Sequence, residues 1–255
     1  MKLLTLNVWG GKIYEPLIKF IKQAAVDTDI FCFQELFFGD KPDNDVNGAR
    51  ANLGHELEKV LSDFVICPHF APEKSYFMKQ IAMSRMGQAI FVRKNISITE
   101  TGGFFTYPAD SPIAPVLNHS GNFQYLKIKL EGDEFLIGNL HGLWQASGKR
   151  DTSERVDQSK NLKNFFDNYS CKKILCGDFN LRPETQSIST LEENFKNLVK
   201  EYGIATTRTH FYKDADKYND HIADYIFVSS DIKVEDFRVL NNVVSDHLPL
   251  VIEFK

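Results

Sequence analysis

The sequence predicts an α/β sandwich in which two similar half-sheets pack face to face with helices outside. Three observations lead there. Short apolar runs alternate with helical periods along the whole chain. The apolar runs fall into two lists that repeat one order. No linker or low-complexity tract divides the 255 residues, a length with ample core for one large domain.

The strand signals come first. "LLTLN" (3–7), "DIFCFQE" (29–35), "GQAIFVRK" (87–94) and "FQYLKIKL" (123–130) form the first list. "FLIGNLH" (135–141), "KILCGDFN" (173–180), "ADYIFVSS" (223–230) and "HLPLVIEF" (247–254) form the second. Each list has a helix between its first two strands, and polar residues sit at matching strand ends, Asn7 against His141 and Glu35 against Asp178. Leu17, Ile18, Ile21, Ala24 and Ala25 share one helical face, with Pro16 suited to the first turn. Leu53, Leu57, Val60, Leu61 and Phe64 make a second stripe. A third helix is expected from about Asp151-Thr152-Ser153, burying Val156, Leu162, Phe165, Phe166 and Tyr169. A fourth has Ser189 and Glu192 at capping-box spacing, carries Leu191, Phe195, Leu198, Val199 and Tyr202, and ends at Gly203.

Composition excludes several classes. Hydrophobic residues make up 43% and charged residues 25%, which is globular rather than disordered. A net charge of -4 and a pI of about 6.0 supply no basic field to hold nucleic acid through its phosphates. No segment approaches the ~20 apolar residues of a membrane span, so no stable membrane insertion is expected. The apolar run in "MKLLTLNVWGGK" is too short for a signal peptide. Cys32 and Cys176 lie in apolar strand patterns, Cys67 and Cys171 complete the set, and no CxxC spacing occurs. A reduced, cytoplasmic protein is the expectation.

The stretch "KKILCGDFNLRPE" concentrates the chemistry. In extended backbone Asp178 and Asn180 point to the same face, so a buried strand would end in two oxygen ligands. Taken alone the pair reads as a turn, because Asp and Asn bond their own backbone. Five further features change the weight: Asn7 in "TLNVWGG", Gln34-Glu35 in "FCFQEL", His141 in "GNLHGLW", Asp246-His247 in "SDHLP" and Asp224 in "ADYIFVS". A carboxylate closing a strand as apolar as 30–35 is costly to bury unless it is paired or metal-bound. Acids, amides and histidines recurring at strand ends exceed what turn chemistry explains.

The set "LNVWG", "QE", "NLHG", "GDFN", "DYIFV" and "SDHLP", in this order and approximate spacing, resembles the endonuclease/exonuclease/phosphatase superfamily with its DNase-I-like fold. The resemblance covers the whole chain. It implies one catalytic domain over residues 1–255 and a four-layered α/β sandwich of two mixed sheets with helices outside. It also implies a hydrolase of phosphoester bonds, foremost a phosphodiesterase or nuclease. The alternatives are a phosphomonoesterase or lipid-headgroup enzyme, or a binding module that keeps only the fold. Ligand chemistry of carboxylate and amide oxygen without thiolate selects Mg²⁺ or Mn²⁺. By the resemblance, Glu35 is the principal metal carboxylate with Asn7 beside it, and Asp246 turns toward the metal. His247 is the candidate base, since histidine titrates near pH ~6.5. Adjacent residues in extended backbone face apart, so an acid other than Asp246 is expected to hold its ring, and the family pattern gives Asp224. Asp178 and Asn180 position the water and a phosphate oxygen. Alternatively Asp178 is the base and His247 a phosphate clamp. His141 donates to a phosphate oxygen or to the leaving group. Arg155, with Gln158 near the start of the third helix, steadies the rim or reaches phosphate.

Specificity is expected from three long loops around this rim. They carry Tyr76, Phe77 and Arg85; Phe104, Phe105 and Tyr107; and Arg208, His210, Phe211 and Tyr212. From these Tyr76, Phe105 and Arg208 are the expected substrate contacts, because aromatics beside a phosphate site suit a base, a sugar or a lipid tail. A phosphodiester, in nucleic acid or in a small molecule, is the expected partner. No protein partner is inferred.

Overall fold

The computed structural model describes the chain except residues 41–47, 72–84, 107–119, 131 and 214. Its first half runs β1 (Lys2–Asn7), α1 (Tyr14–Ala24), β2 (Ile30–Phe38), α2 (Leu53–Val60), β3 (Phe64–Phe70), β4 (Arg85–Arg93), β5 (Ser97–Phe105) and β6 (Asn122–Leu130). The second half runs β7 (Asp133–His141), α3 (Ser153–Asp167), β8 (Lys172–Asp178), α4 (Gln186–Glu192), β9 (Lys196–Asn197), α5 (Leu198–Glu201), α6 (Ala215–Tyr218), β10 (Asp224–Val228), β11 (Val234–Val239) and β12 (Leu250–Phe254).

The strands form two six-stranded mixed sheets, ordered β11-β12-β1-β2-β4-β3 and β5-β6-β7-β8-β10-β9. Each has one parallel pair at its centre, β1 with β2 and β7 with β8, and antiparallel neighbours around it. The repeat read in the sequence is therefore real in the topology, with one exchange. The fourth strand of each list joins the other half's sheet: β6 lies beside β7, and β12 beside β1.

Side-chain alternation sets the layers. Leu3, Ile30, Cys32, Ile90 and Val92 point from the first sheet into a core shared with Leu126, Ile137, Ile174 and Cys176 of the second. Leu4, Leu6, Phe31 and Phe33 point the other way, onto Leu17 and Ile21 of α1 and Leu53 and Leu57 of α2. Leu162 and Phe166 bring α3 onto the second sheet. Gly138 in β7 permits this approach, since a Cβ there would lie 2.7 Å from the Phe123 ring and 2.8 Å from that of Phe166.

Several local readings are corrected. Phe64 starts β3 rather than ending a helix. The expected fourth helix is two short helices separated by β9, and its cap is Thr185, whose side chain accepts from the Ile188 amide. Residues 101–105 and 67–70 of the expected loops belong to β5 and β3. The buried face of α3 includes Arg155, Gln158 and Ser159, while Val156 is only partly covered.

Candidate active site

Strand register assembles the site. His141 pairs with Asp178 across β7 and β8, and Asp178 pairs with Asp224 across β8 and β10, so one row of the second sheet carries all three. In the first sheet the equivalent row is Asn7 with Gln34, which makes Gln34, and not Glu35, the repeat mate of Asp178. Gln34 turns inward, donating to Thr5 Oγ1 and to Asn139 Oδ1 at 2.7 Å for the latter. Glu35 comes next, in a β-bulge against β4, with φ at 60°. A bulge re-aims a side chain, and left-handed backbone at a non-glycine residue is stored strain. Asn180, at φ 54°, repeats the device after β8. Its amide N–H donates to Asp178 Oδ1 at 2.9 Å, so an Asx turn exists and the two side chains are not presented by a continuous strand.

The side chains meet at this end of the sandwich. Asn7 Nδ2 donates to Glu35 Oε1 at 3.0 Å and to Asp178 Oδ2 at 3.1 Å, while its oxygen accepts the Trp9 amide. His141 Nε2 lies 3.6 Å from Glu35 Oε1. His247 Nδ1 sits 2.8 Å from Asp224 Oδ1, and Asp224 Oδ2 also accepts from Thr207 Oγ1 at 2.7 Å. The other ring nitrogen, Nε2, is 3.6 Å from Asp178 Oδ2 and in close contact with Arg208 Nη1. Arg208 Nη1 also reaches Asp246 Oδ2 at 3.4 Å. Lys149 Nζ donates to Asn180 Oδ1 at 2.6 Å, and Asn180 Nδ2 donates to the Gly142 carbonyl.

Charges divide accordingly. Burial works against the Asp178 carboxylate, but His247, Lys149, Arg208 and His141 hold it well below the usual carboxylate range. Burial and Arg208 push the His247 imidazolium down, yet Asp224, Asp246 and Asp178 together outweigh them and its pKa is raised. Burial, and then Arg208, lower the Lys149 ammonium to about 7.

A cavity of about 300 Å³ opens over this constellation. Glu35, His141, Lys149, Asp178, Asn180, Arg208, Asp246 and His247 line it together with Trp9, Lys12, Trp144 and Tyr212.

Residues 4–247 match the family model described as the endonuclease/exonuclease/phosphatase family. The chain belongs to that family. Among solved structures, a family protein from Leptotrichia buccalis is 20% identical, with 100% of this chain and 99% of that one covered at a TM-score of 0.72. A mannosyl-6-phosphatase from Bacteroides thetaiotaomicron is 17% identical over 100% and 99% of the chains, TM-score 0.70. The human Nocturnin catalytic domain, solved with a sulfate anion, is 18% identical over 100% and 93%, TM-score 0.65. No curated protein matches the sequence. The fold of the family, two mixed sheets between helices, is the fold of this chain.

Against the family expectation, the candidate residues sort unevenly. Among the described residues, the ligand atoms of Asp178, Asp224 and His247 lie within 4.8 Å of one another and could hold a metal ion. Glu35 and Asp246, the expected metal carboxylates, are not in that group. Asp246 Oδ1 instead takes the Ser245 hydroxyl at 3.2 Å, with Arg208 on its other oxygen. The donor set still fits a hard cation: Glu35 and Asp178 converge on one amide nitrogen, neighbouring ligands are oxygen or imidazole, and no thiolate is near. As placed, Asn7 offers these acids its nitrogen, which makes it a positioner of carboxylates here.

The substrate contacts need correcting. Arg155 is fully buried and outside the cavity; it donates to the carbonyls of Leu143, Gly148 and Arg150. Phe105 stacks on His69, centroids 6.3 Å apart, and does not line the cavity either. Tyr76 lies outside the described residues. Of the three that are described, Arg208 lines the cavity. Lys149, Trp9 and Trp144 also line it; none was a candidate residue in the sequence, although "TLNVWGG" and "GNLHGLW" contain the two tryptophans.

Proposed function

We propose that this family member is a divalent-metal-dependent phosphodiesterase, with His247 as general base and Asp224 as its orienting acid. The observation that carries this reading is the buried Asp224–His247 pair set beside Asp178 on the rim. Asp224 at Nδ1 leaves the lone pair of the neutral ring on Nε2, where it faces the cavity. A base is effective when its pKa lies near working pH. Its carboxylate neighbours raise the His247 pKa, whereas that of Asp178 is held well below the usual carboxylate range, so His247 is the better proton acceptor of the two. That contrast supports His247 over Asp178 as the base.

Mg²⁺ or Mn²⁺ at Glu35, with Asp178 and Asp246 as further oxygen donors, would polarise a phosphoryl oxygen. The chain's own groups do the rest. Asn7 holds the Glu35 and Asp178 carboxylates in place. His247 Nε2 takes a proton from the attacking water once an arriving phosphoryl group draws Arg208 away from the ring. Asn180 fixes a phosphoryl oxygen or the water, and His141 donates to the leaving oxygen. Trp9 and Trp144, the latter 44% exposed, offer flat apolar walls for the ester substituents of a nucleic-acid or small-molecule diester.

A second reading, phosphomonoesterase, is favoured by three cations, Lys12, Lys149 and Arg208, around a small cavity, and by the likeness to the mannosyl-6-phosphatase. Hydrolysis of bis-p-nitrophenyl phosphate and of p-nitrophenyl phosphate, each with Mg²⁺ and with EDTA, separates the two. Metal-dependent cleavage of the diester is expected. Preference for the monoester would replace the first reading with the second. Turnover of neither, with Mg²⁺ binding equal in wild type and Glu35→Ala, would leave a binding module.

A further inference from the structure

Lys149 is a buried ionisable group in the cavity that neither the motifs nor the mechanism above uses. It is 3% exposed, on the loop between β7 and α3. That loop is clamped around it. Arg155 Nη1 donates to the carbonyls of Gly148 and Arg150, the residues on either side, at 2.6 Å each. The Lys149 carbonyl accepts the Arg182 amide at 2.9 Å. Arg182 in turn donates to Asp220 Oδ1 at 2.6 Å, tying the clamp to the segment that carries Arg208 and Tyr212.

A lysine buried on so braced a loop needs a reason, because desolvating an ammonium is costly unless it is paired. Its partners are few. It donates to the neutral oxygen of Asn180 and stands 5.6 Å from the centroid of the Tyr212 ring. An ammonium has three donors, and one is engaged. Among the described residues no carboxylate forms an ion pair with it, although its cavity contains three acids, Glu35, Asp178 and Asp246. The feature is therefore incompletely neutralised positive charge, held against Asn180 and facing a space bounded by Arg208.

We infer that Lys149 is a phosphoryl-binding residue of this site, which with Arg208 grips non-bridging oxygens of the substrate, and that Arg155 is its positioning residue. This rests on the phosphoester-hydrolase reading and adds to it a cationic pair on the second-sheet side of the cavity. An arriving phosphate supplies the charge and acceptors that the fold withholds, so the lysine is fully charged when substrate is present. Arg155 thus acts through the loop and touches no substrate.

The test is inorganic phosphate binding by titration calorimetry in the presence of Mg²⁺, alongside kcat and KM on whichever p-nitrophenyl ester the wild type cleaves. In Lys149→Met, phosphate affinity should fall ~10- to 100-fold, as for loss of a charge-assisted hydrogen bond. KM should rise or kcat fall, while Mn²⁺ affinity stays at the wild-type value. Arg155→Lys, which keeps charge but cannot bridge two carbonyls, should weaken phosphate binding less and in the same direction. Unchanged phosphate affinity in Lys149→Met would overturn the inference. If that variant does not fold, Lys149→Gln keeps a donor for Asn180 and carries the same test. Wild type that binds phosphate through Lys149 but hydrolyses neither ester would refute the enzyme reading and leave this one standing.

Discussion

The end of the β1–β2 pairing and the end of the β7–β8 pairing occupy equivalent places in two equivalent sheets, and they do opposite things. Where β1 ends against β2 the residue in register is Gln34, neutral and turned inward; the acid, Glu35, is displaced onto a bulge and its side chain is 25% exposed. At the end of β8 the residue in register is itself the acid, and Asp178 is 2% exposed among His247, Lys149 and Arg208. The first half thus offers a carboxylate to whatever enters from solvent. The second half keeps its acid surrounded by cations inside the protein. On the proposed reading, one scaffold used twice keeps the carboxylate that meets an external cation apart from the pair that moves a proton.

The most severe break of this asymmetry removes the proton-handling half. His247→Ala should lower kcat about a thousand-fold, as for loss of a general base, with Mn²⁺ binding retained. Steady-state kinetics beside a metal titration reads both.

Stability should distinguish the halves next. Asp178→Ala leaves buried cations without their acid and should cost about 3 kcal/mol, whereas Glu35→Ala should stay within about 1 kcal/mol in urea unfolding. The sign with pH follows from the lowered Asp178 pKa. Its stabilisation is present above the ordinary carboxylate range and is lost as pH falls through the depressed folded value. Equal costs at the two sites would erase the distinction. Glu35→Gln should in turn weaken Mn²⁺ roughly ten-fold or more while leaving the acid–base pair intact.

A smaller effect appears in the pH profile. His247 must be neutral to accept a proton, and its pKa is raised, so kcat/KM should climb with pH along a limb above the ordinary histidine range. Asp224→Asn removes a carboxylate that favours the imidazolium, and the limb should move to lower pH. A limb that stays put in Asp224→Asn would assign it to another group.

The smallest effect concerns backbone strain. Glu35→Gly and Asn180→Gly each relieve left-handed backbone and should recover about 1 kcal/mol at most, against the loss of the side chain's contacts. Thermal unfolding that shows a gain at Glu35 and none at Asn180 would fit the difference in their contacts, since Asn180 also bonds Lys149 and the Gly142 carbonyl.

How far these features were legible in the sequence follows from burial. The paired central strands β1, β2, β7 and β8 are covered on both faces, so they read as continuous apolar runs and their polar ends stand out. Edge strands β3, β5, β9 and β11 gave no such signal: β3 contains Pro68, β5 contains Gly102-Gly103, and β9 has only two residues. Asn7 and His141 match in space as they match in sequence. Glu35 and Asp178 do not, because a bulge shifts the count by one and pattern reading has no means of seeing it. Arg155 and Lys149 show the same limit. Both are basic residues near a helix start, and only the fold shows that one grips carbonyls while the other faces the cavity.

The exchange of β6 and β12 between the sheets has a mechanical meaning. A cut in the turn at Gly132, between β6 and β7, would leave two fragments, each holding two strands that complete the other's sheet, β5 and β6 in one and β11 and β12 in the other. Neither fragment could close its own hydrogen-bond ladder, so the halves would stay clasped like two hooks and separate only by unfolding. The rim, to which both contribute, is therefore built across the clasp, and forces that try to pull the halves apart load the sheets before they reach the chemistry.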